Sequence, residues 1–229
     1  MNIAGLLKTS LLDYPNHISC VVFTQGCNLR CPFCHNPELI PFENSELMPE
    51  ASFFDFLEKR KNVLEGVVIT GGEPLIQNDL KKFISKIKKM KFKVKLDTNG
   101  CMPEKLKELI DDGYVDYIAM DIKAPFERYA KLTGAEVDTD KIKKSIEIIM
   151  HSRIDYEFRT TVYPELTQTD FKEIRQMIQG ANKYFLQQFR NEKTFSIEAM
   201  EKEPYTKEQL EEIKELIVKY VKHVEIRGL

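Results

Sequence analysis

Apolar residues recur along this chain with two alternating spacings. Short β-rich runs at 18–24, 66–70, 94–98, 115–122, 156–163 and 184–189 read as strands. Between them lie segments of helical period. The run 49–62 opens with Pro49 and carries Phe53, Phe54, Phe56 and Leu57, as a helix with proline in its first turn does. The run 78–90 repeats Leu80, Phe83, Ile84 and Ile87, and helices are predicted likewise over 103–111, 141–151 and 170–179. A last amphipathic helix over 207–221 sets Leu210, Ile213, Leu216, Ile217, Tyr220 and Val221 on one stripe. Strands alternating with helices imply a parallel α/β sheet with right-handed crossovers. Six such units are too few for an eight-fold barrel, so an open, partial barrel is predicted. No low-complexity linker or internal repeat divides the chain, and residues 1–229 read as a single domain.

Length and charge narrow the possibilities. A chain of 229 residues buries a sizeable core and lies within the range that α/β barrels occupy as one domain. Its 34 Lys and Arg against 36 Asp and Glu leave a net charge of −2, which offers no field for nucleic acid or an anionic membrane. There is no basic leader before Asp13 and no apolar run of membrane-spanning length, so a cytoplasmic location is expected, without nucleic-acid or membrane partners. Five cysteines, three of them close together, argue for a reducing compartment and a metal site over a disulfide frame.

Parallel α/β folds gather their active residues beyond the C-terminal ends of strands, and four segments of this chain fall there. The first is the loop 26–36, which places Cys27, Cys31 and Cys34 within a few residues of one another. Pro32 keeps that loop out of regular helix, so it should curl round a metal and turn its N–H groups toward it. Iron–sulfur sites ordinarily take four cysteines. Only Cys20 and Cys101 remain, and neither has a cysteine near it, so a cluster here keeps one iron open to another ligand. The competing reading is a zinc knuckle that borrows His35. Zinc ligands are usually separated by about two to four residues, whereas His35 directly follows Cys34.

The other strand ends carry Gly71-Gly-Glu-Pro74, Asp97-Thr-Asn-Gly100 and Asp121-Ile-Lys123. Gly71 and Gly72 let a backbone approach a ligand closely and Glu73 adds a carboxylate, a combination that suits an ammonium group. A lone Gly-Gly pair would be only a tight turn before Pro74. Asn99-Gly100 is a hairpin signal, but the flanking pattern passes from strand to helix, so a strand-end loop is predicted. Asp121 and Lys123 have a plainer reading as a salt-bridging pair. Cys20 reads as a packed strand thiol, Cys101 as a loop thiol, and the basic run 86–95 as the solvated end of a helix, with a docking patch as the alternative.

The Cys-x3-Cys-x2-Cys loop is the signature of the radical S-adenosylmethionine (SAM) enzymes, and the chain resembles that family well beyond it. The stretch 3–15, ending Asp13-Tyr-Pro15, together with Val21-Val-Phe-Thr-Gln-Gly-Cys27 and Cys34-His-Asn-Pro-Glu38, is similar to the glycyl-radical-enzyme activases. Within these it most resembles the activating proteins of anaerobic ribonucleoside-triphosphate reductase, with pyruvate formate-lyase activating enzyme close behind. The similarity is dense over 3–40, returns at 70–74, 97–100 and 120–123, and fades in the last third.

The resemblance implies a (β/α)6 TIM-like partial barrel of radical SAM type, with a 4Fe-4S cluster on Cys27, Cys31 and Cys34 whose open iron is chelated by SAM. It implies that Gly71, Gly72, Glu73 and Pro74 grip the SAM amino group, and that Phe33 and His35 line its adenine. Asp97 and Thr98, with Met120 and Asp121, would surround a monovalent cation and the SAM carboxylate, and Asp121, Ile122 and Lys123 would meet ribose and carboxylate. Pyruvate formate-lyase activating enzyme has a histidine after its sixth strand; this chain offers Arg190, whose fork suits a carboxylate, the alternative being that it marks a different substrate. The implied reaction begins with a low-potential donor such as flavodoxin or ferredoxin. Reductive cleavage of SAM gives a 5′-deoxyadenosyl radical, which takes hydrogen from a glycine of a partner glycyl radical enzyme. Two rivals remain. A small-molecule enzyme of the deazaguanine-synthase kind shares the cluster loop and Gly-Gly-Glu, but not the segments at 13–15, 97–100 and 121–123. A non-enzymatic iron–sulfur or zinc module has no use for the later strand-end motifs.

Overall fold

Successive side chains on a strand point to opposite faces, and in this protein the two faces differ in chemistry. The computed structural model describes residues 1–43 and 46–229. Its strands are β1 (Ile3–Ser10), β2 (Ser19–Thr24), β3 (Gly66–Gly71), β4 (Lys93–Thr98), β5 (Tyr117–Asp121), β6 (Asp155–Val162), β7 (Lys183–Gln188) and β8 (His223–Arg227). They form one sheet in chain order. β1 runs antiparallel to β2, and every later neighbour is parallel. The helices between them are α1 (Glu50–Arg60), α2 (Leu80–Lys89), α3 (Pro103–Asp111), α4 (Tyr129–Thr133), α5 (Thr139–His151), α6 (Gln168–Met177), α7 (Ile197–Met200) and α8 (Lys207–Glu215).

One face of the sheet is apolar. Val22, Val67, Ile69, Val94, Leu96, Ile118, Met120, Phe158, Tyr184 and Leu186 share a buried core with Phe53 and Leu57 of α1, Phe83 and Ile87 of α2, and Phe171 and Ile174 of α6. The other face, at the intervening positions, carries Lys95, Asp97, Tyr117, Asp121, Glu157, Arg159, Gln187 and Arg227. The helices pack on the first face; the second is polar apart from a small apolar cluster of Tyr14, Val21, Val68 and Tyr117.

The six predicted strands are β2 to β7, and the partial-barrel reading holds. β1 and β8 were not predicted, because edge strands paired on one side lack a buried alternation. Three consecutive residues of β1 are exposed, and no residue of β8 is fully buried. The last helix ends at Glu215, not 221; Ile217 and Val221 still pack, but from turns. Pro49 caps α1 from outside. In the basic run, Lys86 reaches Glu50 (2.6 Å), Lys88 reaches Asp116 (2.7 Å) and Lys95 reaches Asp97 (2.8 Å), so much of its charge is matched internally. Among the described residues no helix is long and apolar enough to cross a membrane.

β8 is held from the polar face. Arg227 forks onto buried Glu157 (3.0 and 3.1 Å) across the ring of Phe185, and Tyr117 donates to the same carboxylate (3.0 Å). Removing one partner of such a pair costs about 3–5 kcal/mol when it is fully buried. Arg227 is 35 % exposed, so Arg227→Met should destabilise the fold by about 2 kcal/mol in urea titration. Adding Glu157→Met should recover part of that loss; strictly additive losses would show that the pair is not coupled.

Candidate active site

The loop after β2 is shaped by its own backbone. Gly26 N–H donates to Leu39 O (2.8 Å) and Cys27 N–H to Ile40 O (3.1 Å), which closes the segment on itself. Arg30 holds the turn by donating Nη1 to the carbonyls of Cys27 (2.7 Å) and Leu29 (2.8 Å), while its N–H reaches Thr133 of α4. Cys27, Cys31 and Cys34 consequently line one cavity. Leu29 N–H points at the Cys27 sulfur (3.4 Å) and Asn36 N–H at that of Cys34. Burial pushes the Cys27 thiol up to about 11 and that of Cys31 to about 12, against the pull of nearby Lys123.

Among the described residues no three His, Cys, Asp or Glu side chains converge on the position of one ion. Zinc binds thiolates at about 2.3 Å from a single centre. A cubane instead spreads three thiolates over three irons, and three cysteines around a shared cavity, each sulfur near a backbone N–H or a cation, fit that larger group.

The second strand end lies directly on this loop. Gly71 has φ +114°, and a Cβ there would sit 2.3 Å from the Thr24 nitrogen; a Cβ on Gly72 would sit 1.9 Å from the Gly26 carbonyl. Only glycine permits that approach. The Glu73 side chain is buried and ties two strand ends together: Leu75 N–H (3.1 Å) and Thr98 Oγ1–H (2.8 Å) donate to Oε1, and Asn99 N–H (2.7 Å) donates to Oε2. Burial raises its carboxyl to about 7 despite these three donors.

Beyond Glu73 runs a chain of alternating charges. Lys95 Nζ donates to Asp97 Oδ1 (2.8 Å), Arg159 Nη1 to Asp97 Oδ2 (3.0 Å), Arg159 Nε to Asp121 Oδ1 (2.8 Å) and Lys123 Nζ to Asp121 Oδ2 (2.9 Å). Burial disfavours both carboxylates. Arg159 with Lys123 at Asp121, and Arg159 with Lys95 at Asp97, more than offset it, so both are held below the ordinary range. Lys123 stays above its ordinary value because Asp121 and the sulfurs of Cys31 and Cys34 outweigh desolvation.

Phe33 and His35 line the cavity and pack against two further rings. Phe33 stacks on Tyr163 (4.9 Å between centroids), Tyr163 meets Phe189 edge-on (5.2 Å), and His35 stacks on Phe189 (5.9 Å). His35 Nε2 also lies 2.9 Å from the Arg190 carbonyl oxygen.

Of the residues singled out in the sequence, Cys27, Cys31, Cys34, Phe33, His35, Gly71, Gly72, Glu73, Asp97, Thr98, Asp121 and Lys123 line the same cavity. Pro74, Met120 and Ile122 are buried behind it, and Arg190 is exposed outside it. β7 sends Gln187 inward instead. Cys101, read as an unremarked loop thiol, bonds Asn28 beside the cysteine loop. Sequence reasoning missed Lys95, Arg159, Thr161 and Gln187. The available signal was strand parity: Arg159 alternates with Phe158 and Thr160, both buried, which points a cation at the inner face.

The chain is similar to known proteins along most of its length. The model of the radical SAM superfamily matches residues 21–178. A protein of Methanocaldococcus jannaschii named "Putative glycyl-radical enzyme activating enzyme" is 34% identical over 99% of this chain and 96% of its own length. A pyruvate formate-lyase-activating enzyme of Listeria monocytogenes is 36% identical over 49% of this chain and 50% of its own. In fold, the chain is similar to Streptococcus suis SuiB bound to S-adenosylmethionine, with a TM-score of 0.68 at 17% identity over 89% of this chain; it spans 48% of the SuiB chain. It is also similar to a domain of pyruvate-formate lyase-activating enzyme from Bacteroides vulgatus, with a TM-score of 0.57 at 16% identity over 71% of this chain and 99% of that domain. With a superfamily match over most of its length and a relative aligned end to end, the chain belongs to the radical SAM superfamily, in the branch of the glycyl-radical enzyme activating enzymes.

Proposed function

We propose that this protein binds a 4Fe-4S cluster on Cys27, Cys31 and Cys34, binds SAM in the adjoining cavity, and generates a glycyl radical on a partner enzyme. The carrying observation is the convergence of three thiols, the Gly71-Gly72 contact and the charged side chains Asp97, Arg159, Asp121 and Lys123 on one cavity, with Lys95 behind Asp97. When bound, cluster and SAM supply one-electron chemistry: reductive cleavage of the sulfonium, then hydrogen abstraction from a glycine.

The chain's own residues orient and insulate. Backbone N–H groups of Leu29 and Asn36 and the ammonium of Lys123 offset the negative charge of the thiolates. Carbonyls of the Gly71–Glu73 turn and the Glu73 carboxylate receive an ammonium group, of which the carboxylate already spends about three of its four acceptor positions. Asp121 and Lys123, fixed by Arg159, meet ribose and carboxylate. Phe33 and His35 border the adenine, and Gln187 takes the inward position at the end of β7. Resemblance over residues 3–40 favours anaerobic ribonucleoside-triphosphate reductase as the partner, with flavodoxin or ferredoxin as donor in the cytoplasm.

Reconstituted anaerobically and reduced with dithionite, the protein should convert SAM to methionine and 5′-deoxyadenosine. Replacing any one of Cys27, Cys31 or Cys34 by Ala should abolish that product, measured by liquid chromatography. Co-incubation with the reductase should give a glycyl-radical EPR signal. Deoxyadenosine without that signal would reject the partner; none of it from a protein with intact cluster would reject the activity.

Glu73 adds a pH dependence. Its folded value of about 7 lies above the ordinary 4.5. The fold therefore holds an extra proton between those values, and Glu73 loses stability for the protein as pH rises through that window. A SAM ammonium favours the ionised form, so SAM affinity should rise by up to about tenfold per unit below 7 and level off above it. Equilibrium binding from pH 6 to 8 should show this slope in the wild type and a flat profile in Glu73→Gln. An equal slope in both would remove Glu73 from the site.

A further inference from the structure

We propose that Lys95 and Arg159 take the place of a monovalent cation beside Asp97, so that SAM binds here without one. The inference rests on the SAM reading above. Family resemblance suggests a cation among Asp97, Thr98, Met120 and Asp121, and these residues do not fit it. Both oxygens of Asp97 already accept charged donors, Lys95 Nζ at 2.8 Å and Arg159 Nη1 at 3.0 Å. Both oxygens of Asp121 are taken by Arg159 Nε and Lys123 Nζ. Thr98 Oγ1 donates to Glu73 and accepts from Gly100 N–H (3.1 Å). Met120 lies in the apolar core, against Gly100 on the helix side of the sheet.

Lys95 is the residue that decides the matter. Its side chain is 3 % exposed and shares the inner face of β4 with Asp97, two positions on. An ammonium buried to that degree persists only with a charge partner. Asp97 is that partner, with the ring of Tyr117 at 5.9 Å as a weaker contact. A metal cation on Asp97 would meet the Lys95 ammonium and the Arg159 guanidinium at contact distance in a poorly hydrated site, where like charges repel strongly. Lys95, Arg159 and Lys123 against Asp97 and Asp121 already leave one positive charge over. That surplus complements a carboxylate, such as the one SAM carries.

The test is equilibrium SAM binding to the anaerobically reconstituted protein in potassium, sodium or tetramethylammonium chloride at equal ionic strength. The wild type should show affinities within about twofold across the three salts. A loss of about tenfold or more in tetramethylammonium, restored by potassium, would overturn the proposal. Lys95→Met should acquire that potassium dependence, and Lys95→Arg should not. If Lys95→Met does not fold, Lys95→Gln serves in its place. Crystals soaked in rubidium chloride give a readout independent of SAM: no anomalous peak at Asp97 is expected in the wild type, and a peak there would overturn the proposal. Absence of SAM binding in every salt would instead overturn the functional reading, and this inference with it.

Discussion

Five side chains of alternating charge, from Lys95 to Lys123, are the constraint on which the site depends. Arg159 stands on β6, yet it bonds Asp121 on β5 and Asp97 on β4. A guanidinium desolvated between two carboxylates is tolerable only while both bonds hold. Three strand ends are therefore fixed at one height, in the register that sets Asp121 opposite Arg159. Loops built on those ends inherit the rigidity.

The remaining walls are attached to this frame by contacts of a different kind. Gly72 rests on the Gly26 carbonyl with no room for a methyl group, which seats the cysteine loop on β3. Glu73 spans from that turn to Thr98 and Asn99 on the β4 end. The ring contacts of Phe33, Tyr163, Phe189 and His35 bring the other side of the loop to the ends of β6 and β7. A cofactor held by three thiolates would gain its surroundings from a polar frame on one side and an aromatic wall on the other. The polar side keeps charges fixed where a zwitterionic ligand needs them, and the aromatic side excludes water.

Much of this was legible in the residues because the inner strands show as apolar runs in β2 and β3 and as apolar residues alternating with polar ones in β4 and β6, and because the ends of parallel strands are where ligands bind. The cysteine loop, Gly71-Gly72-Glu73, Asp97-Thr98 and Asp121-x-Lys123 stood out by motif, strand-end position and family resemblance together, and they line one cavity. The edge strands β1 and β8 left no such trace, since three successive residues of β1 are exposed and none of β8 is fully buried. Arg159 was only half legible: parity points it at the inner face, but a single cation in a strand does not say which carboxylates it will meet across two neighbours. Arg190 shows the limit of reading by analogy. It follows a strand whose parity turns Gln187 inward, so the arginine lies outside the cavity while its carbonyl oxygen meets His35.

The central claim is that three cysteines hold a cluster with one iron left open toward the charged cavity. The EPR spectrum of the reduced, anaerobically reconstituted protein, recorded with and without SAM, tests it most directly. The account predicts a four-iron cluster signal whose g-values shift when SAM is added, because the ligand binds the cluster itself. A signal unmoved by saturating SAM, or purified protein that carries zinc in place of iron, would contradict it.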